Sequence, residues 1–203
     1  MLFRSLEIRG AGNLLGGEQS GHIAEVGFDL YVRMVSEAVQ QVKDPNVEEG
    51  FEVKVELPID AHIPHTYIPD ERLRLAAYRG LAAAHTPEAV AEVIAELTDR
   101  YGPLPEPVLA LIEVARLRVL LHSVGVTEAV AAGTTVRLFP VELPESRQAR
   151  LSRLYPGTKI LPATRTIVVP RPREAALGAT SAKSDSAVVE WVATMVTNVM
   201  VES

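Results

Sequence analysis

A chain of 203 residues with 47% apolar content and a formal net charge of −6 can bury a real core, and is too acidic for a dedicated nucleic-acid-binding domain, whose balance is usually strongly basic. It has no cysteine, which removes disulfides, thiol catalysis and Cys-ligated zinc and fits a reducing compartment. No apolar run approaches the roughly 18 residues of a membrane span, and MLFRSLEIRG lacks the apolar core of a signal peptide, so a soluble cytoplasmic protein with no membrane partner is expected.

The first organised stretch is LEIRGAGNLLGGEQSGHIAEVGFDLY, residues 6–31. Gly10, Gly12, Gly16, Gly17 and Gly21 are too dense for a helix and too irregular for a strand. They read as a shaped loop presenting Arg9, Gln19 and Ser20. A dinucleotide fingerprint starting at Gly10 would need glycine where Leu15 stands, and a Walker loop would need Lys-Ser or Lys-Thr where Gly21 is followed by His22. Nucleotide binding here is therefore not expected. Apolar residues at Phe28, Leu30, Tyr31, Met34, Val35, Ala38, Val39 and Val42 then recur with helical period until Asp44-Pro45. A boundary is placed in 44–50, giving units 1–46 and 47–203.

FEVKVELP, from Phe51, alternates like a half-buried strand. In the following DAHIPHTYIPDE, His62 and His65 with Asp60, Asp70 and Glu71 could suggest a metal site, but in extended backbone side chains three apart point to opposite faces, so no metal is expected. Three helices come next. Pro69-Asp70-Glu71 opens one running to about Ala84. Thr86-Pro87-Glu88 opens a second, with a threonine N-cap and proline at the first position, ending at Tyr101-Gly102. Pro105-Glu106-Pro107 opens the third, apolar on a broad face until Gly125. Short connections make these an antiparallel helical layer.

Beyond Gly125 the pattern predicts strands over 134–139, 159–161 and 166–169, a helix over Glu145–Leu154 carrying Arg147, Arg150 and Arg153, a loop over 174–184, and a last helix over Asp185–Val201. The fold class is α+β, helices beside a small sheet. Charge is unevenly placed: residues 86–113 carry six acids and one arginine, whereas 137–173 carry eight cations against Glu142 and Glu145. An acidic face and a basic face suit oriented contact with charged partners as well as they suit solubility. No nucleophile elbow, zinc helix or environment-tuned carboxylate pair appears, so no catalytic residue is named and the chain is expected to hold no cofactor.

The ordered features LEIRG, QSG and GFDLY resemble the second half of the TRG motif shared by RecG helicases and the bacterial transcription-repair coupling factors. The later YIPDERLRLAAYRGLAAA and ELTDRYGPLPEPVLALIEVARLR are similar to the C-terminal domain of the latter, so the likeness covers most of 6–122. The resemblance implies the tail of a double-stranded DNA translocase with its regulatory domain, the ATP- and magnesium-dependent motor lying upstream. Arg9, Gly10, Gly12, Gly16, Gln19, Ser20 and Gly21 take the positions that couple ATP hydrolysis to translocation. MLFRS lacks the acidic residue that usually precedes LEIRG, so Met1–Ser5 are expected to be foreign to the motif. Glu96 and Asp99 take the place of an acidic pair that docks on the UvrB-like module of the same protein and hides its UvrA-binding surface. The other partners so implied, through the parent, are RNA polymerase and duplex DNA. Arg147, Arg150 and Arg153 are read from their spacing as a basic surface. A free-standing protein-binding adaptor and a RecG-like helicase-associated module are the alternatives.

Overall fold

The computed structural model describes residues 53–172 and 182–201. The glycine-rich loop and the helix expected after it lie outside the described residues.

Five strands and five helices are present among the described residues. In chain order they are β1 (Lys54–Glu56), α1 (Glu71–Ala83), α2 (Pro87–Tyr101), α3 (Glu106–Ser123), β2 (Glu128–Ala132), β3 (Thr135–Phe139), α4 (Glu145–Leu154), β4 (Lys159–Leu161), β5 (Thr166–Pro170) and α5 (Ala182–Met200). The strands form one mixed sheet in the order β1-β2-β3-β5-β4, with β1 parallel to β2 and the other pairs antiparallel. The architecture is α+β, as expected.

The helix starts obey the local chemistry that the sequence displays. The Asp70 carboxylate accepts the amide of Leu73 at 3.0 Å, which fixes the first turn of α1. Thr86 accepts from the Ala89 amide at 3.2 Å, with Pro87 at the first helical position of α2. Gly102 ends α2 at φ 82°, a left-handed conformation that any β-carbon would strain. Gly80, in mid-α1, faces the Val93 side chain of α2.

Alternation sorts the sheet residues. Val55, Ala129, Val136, Leu138, Ile167 and Val169 are buried and merge with helix residues into one core, while Lys54, Glu56, Arg137 and Lys159 stand exposed on the other side. α3 is the central helix. It touches α1, α2, α5 and β1, so its apolar residues are buried almost all the way round rather than along one face. The fully buried Leu111, Leu117 and Leu121 each contribute about 1.5–3 kcal/mol by transfer from water. Among the described residues one cation lies in this core: Arg118 is 4% exposed and its Nε donates to the Val53 carbonyl at 3.2 Å, tying the chain just before β1 to α3.

Two elements depart from the expectation. β2 is absent from the expected strands, because EAVAA has weak strand propensity and forms through pairing on both sides. The last helix starts at Ala182, three residues before the expected Asp185.

Candidate functional site

The site is built from the exposed side of α2. Its inward side chains are Val90 and Leu97, both buried, with Val93 and Ile94 half-buried beside them. The helical repeat then turns Glu88, Glu92, Glu96 and Asp99 to the opposite side, where all four are exposed. Positions three apart are neighbours on a helix surface, so Glu96 and Asp99 share one face, as their spacing implies.

The C-terminal end of this stripe is held by a chain of contacts. The Tyr67 hydroxyl donates to two carbonyls at the helix end, Leu97 at 3.1 Å and Gly102 at 3.0 Å, and its ring meets Tyr101 edge-on with centroids 5.8 Å apart. Desolvation, and then the neighbouring Tyr101, push the Tyr67 hydroxyl above its ordinary pKa. Arg100 lies over the Tyr101 ring at 5.6 Å and donates to the Glu96 carboxylate at 2.7 Å. That hydrogen bond raises the Arg100 pKa further above its already high value, so the guanidinium is permanently charged. Glu96 thus already holds one cation from its own helix.

The basic residues do not converge in the same way. Arg147 is half-buried and donates through Nη1 to the Met200 carbonyl at 2.6 Å, placing its charge at the negative end of α5. Arg150 and Arg153 are exposed, which leaves two of the three arginines facing outward. On the open side of the sheet Arg137 pairs with Glu128 at 3.2 Å, and Arg165, in a left-handed conformation, lies over Phe139 and reaches Glu142 at 3.6 Å.

His62 is engaged by Asp60 at 2.6 Å. Among the described residues no group of three or more His, Asp or Glu side chains is placed to hold a metal ion. No described helix is long and apolar enough to cross a membrane. A cavity of about 400 Å³ opens between the start of α2 and the second half of α3, lined by Thr86, Pro87, Arg116, Val119, Leu120 and His122 among others. Sequence reasoning did not find it, since its walls come from two helices and none of these residues forms a local pattern. Arg9, Gly10, Gly12, Gly16, Gln19, Ser20 and Gly21 lie outside the described residues.

Comparison with known proteins gives one consistent result. The TRCF domain model matches residues 57–150. The chain is 50% identical over 206 residues to the transcription-repair-coupling factor of Mycobacterium tuberculosis (strain CDC 1551 / Oshkosh), covering 96% of this chain and 17% of that protein. It is 40% identical over 126 residues to the Escherichia coli (strain K12) protein of the same name, covering 60% of this chain and 11% of that one. The chain therefore spans less than a fifth of the length of these relatives. A crystal structure of the C-terminal domain of transcription-repair coupling factor superposes on it with a TM-score of 0.55, covering 72% of this chain and 94% of that one at 17% identity, a likeness of fold.

Proposed function

We propose that the chain, 50% identical over 96% of its length to a transcription-repair-coupling factor, is the C-terminal regulatory end of such a factor, an ATP-dependent DNA translocase that couples transcription to excision repair. Residues 47–203 are the regulatory domain. They dock through Glu96 and Asp99 on the UvrB-like module of the same protein and mask the surface that captures UvrA. Residues 1–46 are the end of the TRG element, where Arg9 and Gln19, set among the glycines, relay the nucleotide state of the motor to its grip on duplex DNA. An arginine can clamp a carboxylate with two hydrogen bonds, and a glutamine donates and accepts at once, which suits a relay. RNA polymerase is met through the parent. ATP and magnesium belong to the upstream motor, and this chain alone hydrolyses no ATP.

The observation that carries the docking reading is the exposure of Glu96 and Asp99 together on the outward face of a helix whose other side is packed into the core. Carboxylates near a helix C-terminus are mildly unfavourable against its dipole, so a face built from them suits contact with cations better than helix stability. In a full-length protein carrying this sequence, Glu96→Ala with Asp99→Ala is expected to raise UvrA capture in a pull-down, with the circular dichroism of the double-mutant chain unchanged. Unchanged capture would remove the pair from the mechanism.

A further inference from the structure

We infer that the end of α4 and the turn after it form a docking surface for an acidic protein segment that carries apolar side chains. The surface is separate from α2 and does not depend on the role proposed there. Its frame is firmly held. Leu151 is fully buried, α4 packs on α5, and Arg147 donates to the Met200 carbonyl. Tyr155 ends the helix and meets the Trp191 ring edge-on, with centroids 5.9 Å apart. The chain then reverses in a turn closed by the Thr158 amide and hydroxyl, which donate to the Tyr155 carbonyl at 3.3 and 2.6 Å. Gly157 stands in this turn at φ 83°, so near β5 that an added β-carbon would meet Pro170 Cγ at 3.2 Å.

This frame presents cations and leucines outward. Arg150, Arg153 and Leu154 are exposed and stand three and four residues apart, which makes them one stripe on α4. Lys159 follows directly after the turn, and Leu161 shares its side of β4. Among the described residues Arg150, Arg153 and Lys159 have no ion-pair or hydrogen-bond partner, although the chain carries 26 acids and both Arg137 and Arg165 find one. Unpaired cations attract carboxylates and phosphates alike, so the leucines decide between them. Leu154 is 44% exposed and Leu161 45%. A phosphate backbone offers an exposed leucine nothing apolar to meet, whereas an acidic segment with interspersed apolar residues covers both kinds of side chain. The net charge of −6 also opposes a polyanion as dense as duplex DNA more than a short peptide with a few carboxylates.

The test is fluorescence anisotropy of labelled synthetic peptides titrated with the 203-residue chain. One peptide repeats Glu-Glu-Leu four times, and its control repeats Glu-Glu-Ser. The leucine peptide is expected to bind more tightly than the serine peptide, and both to weaken as salt rises. Arg150→Gln with Arg153→Gln should weaken the leucine peptide by about three- to thirtyfold, the scale of two surface ion pairs. Leu154→Ser should weaken it by about two- to tenfold and leave the serine peptide unchanged, which separates an apolar contact from charge alone.

No binding of the leucine peptide, or binding that neither substitution weakens, would overturn the inference. Equal binding of the two peptides would reduce the surface to charge alone and overturn it as well. A short DNA duplex that binds more tightly than the leucine peptide, and loses that binding with the two arginines, would assign the surface to nucleic acid instead. Circular dichroism of each variant confirms that the fold is kept. Glu96 and Asp99 are intact in every variant, so a failure here leaves the docking reading of α2 standing.

Discussion

Tyr78 shows how a single polar atom can fasten a segment whose Ala61, Ile63 and Ile68 are already buried in the core. It is 4% exposed, and its hydroxyl accepts the Ile63 amide at 2.7 Å, pinning the extended segment before α1. Tyr78→Phe would leave that buried amide without its partner, so chemical denaturation is expected to show a loss of about 1–3 kcal/mol. Gly80 points the other way. It sits in a helix interior, and an added β-carbon would meet Val93 at 3.5 Å, an ordinary contact. Gly80→Ala is therefore expected to stabilise the chain by roughly 0.5–1 kcal/mol, measured in the same titration. A loss would mean that α1 and α2 cannot accommodate even a methyl group between them.

At the scale of elements, α5 completes a core that the first three helices leave open. Val188, Val189, Val192, Met195, Val196 and Val199 are buried, and α5 packs along α3. Met195→Ala is expected to cost about 2–5 kcal/mol, read as a lowered denaturation midpoint. α4 carries a weaker consequence. With Arg147 held at the end of α5, Arg150 and Arg153 are its outward arginines, and any contact with duplex DNA should involve few phosphates. Titration of labelled duplex should give weak binding with a log–log salt slope of about −2, whereas a steep slope with tight binding would assign a far larger basic surface.

The same elements explain what could be read from the sequence. Asp70, Thr86-Pro87 and Gly102 announce α1 and α2 because caps act within one turn of chain, so those boundaries are local information. β2 depends on β1, more than seventy residues earlier, and on β3, so nothing inside EAVAA specifies it. The spacing of Glu96 and Asp99 places them on one face, yet the hold of Arg100 on Glu96 depends on Tyr101 and Tyr67. Tyr67 belongs to the connecting segment, and its approach to α2 is a tertiary fact. The role of Arg147 was hidden for the same reason, since its acceptor lies at the far end of the chain.

For the molecule as a whole, pH enters through two desolvated phenols, the buried Tyr78 and the half-buried Tyr67. Desolvation raises the hydroxyls of Tyr78 and Tyr67 above the ordinary 10.0. A group whose folded-state pKa is raised binds its proton more tightly in the native state than in the unfolded one. Its contribution is complete below about pH 10 and is lost as pH rises above that through the folded-state value. Thermal denaturation is expected to show a midpoint falling above pH 10, with a smaller fall in Tyr78→Phe.

The charge asymmetry is the other whole-molecule property, with acids gathered over 86–113 and cations over 137–173. The docking proposed for α2 would make the acidic side the one that meets the parent protein. Hydrogen–deuterium exchange of this chain with and without the UvrB-like module tests that directly. Slowed exchange over peptides from 88–102, with 137–171 unchanged, is the predicted footprint. Slowing confined to 137–171, with α2 unaffected, would contradict it and assign the docking role to the basic side.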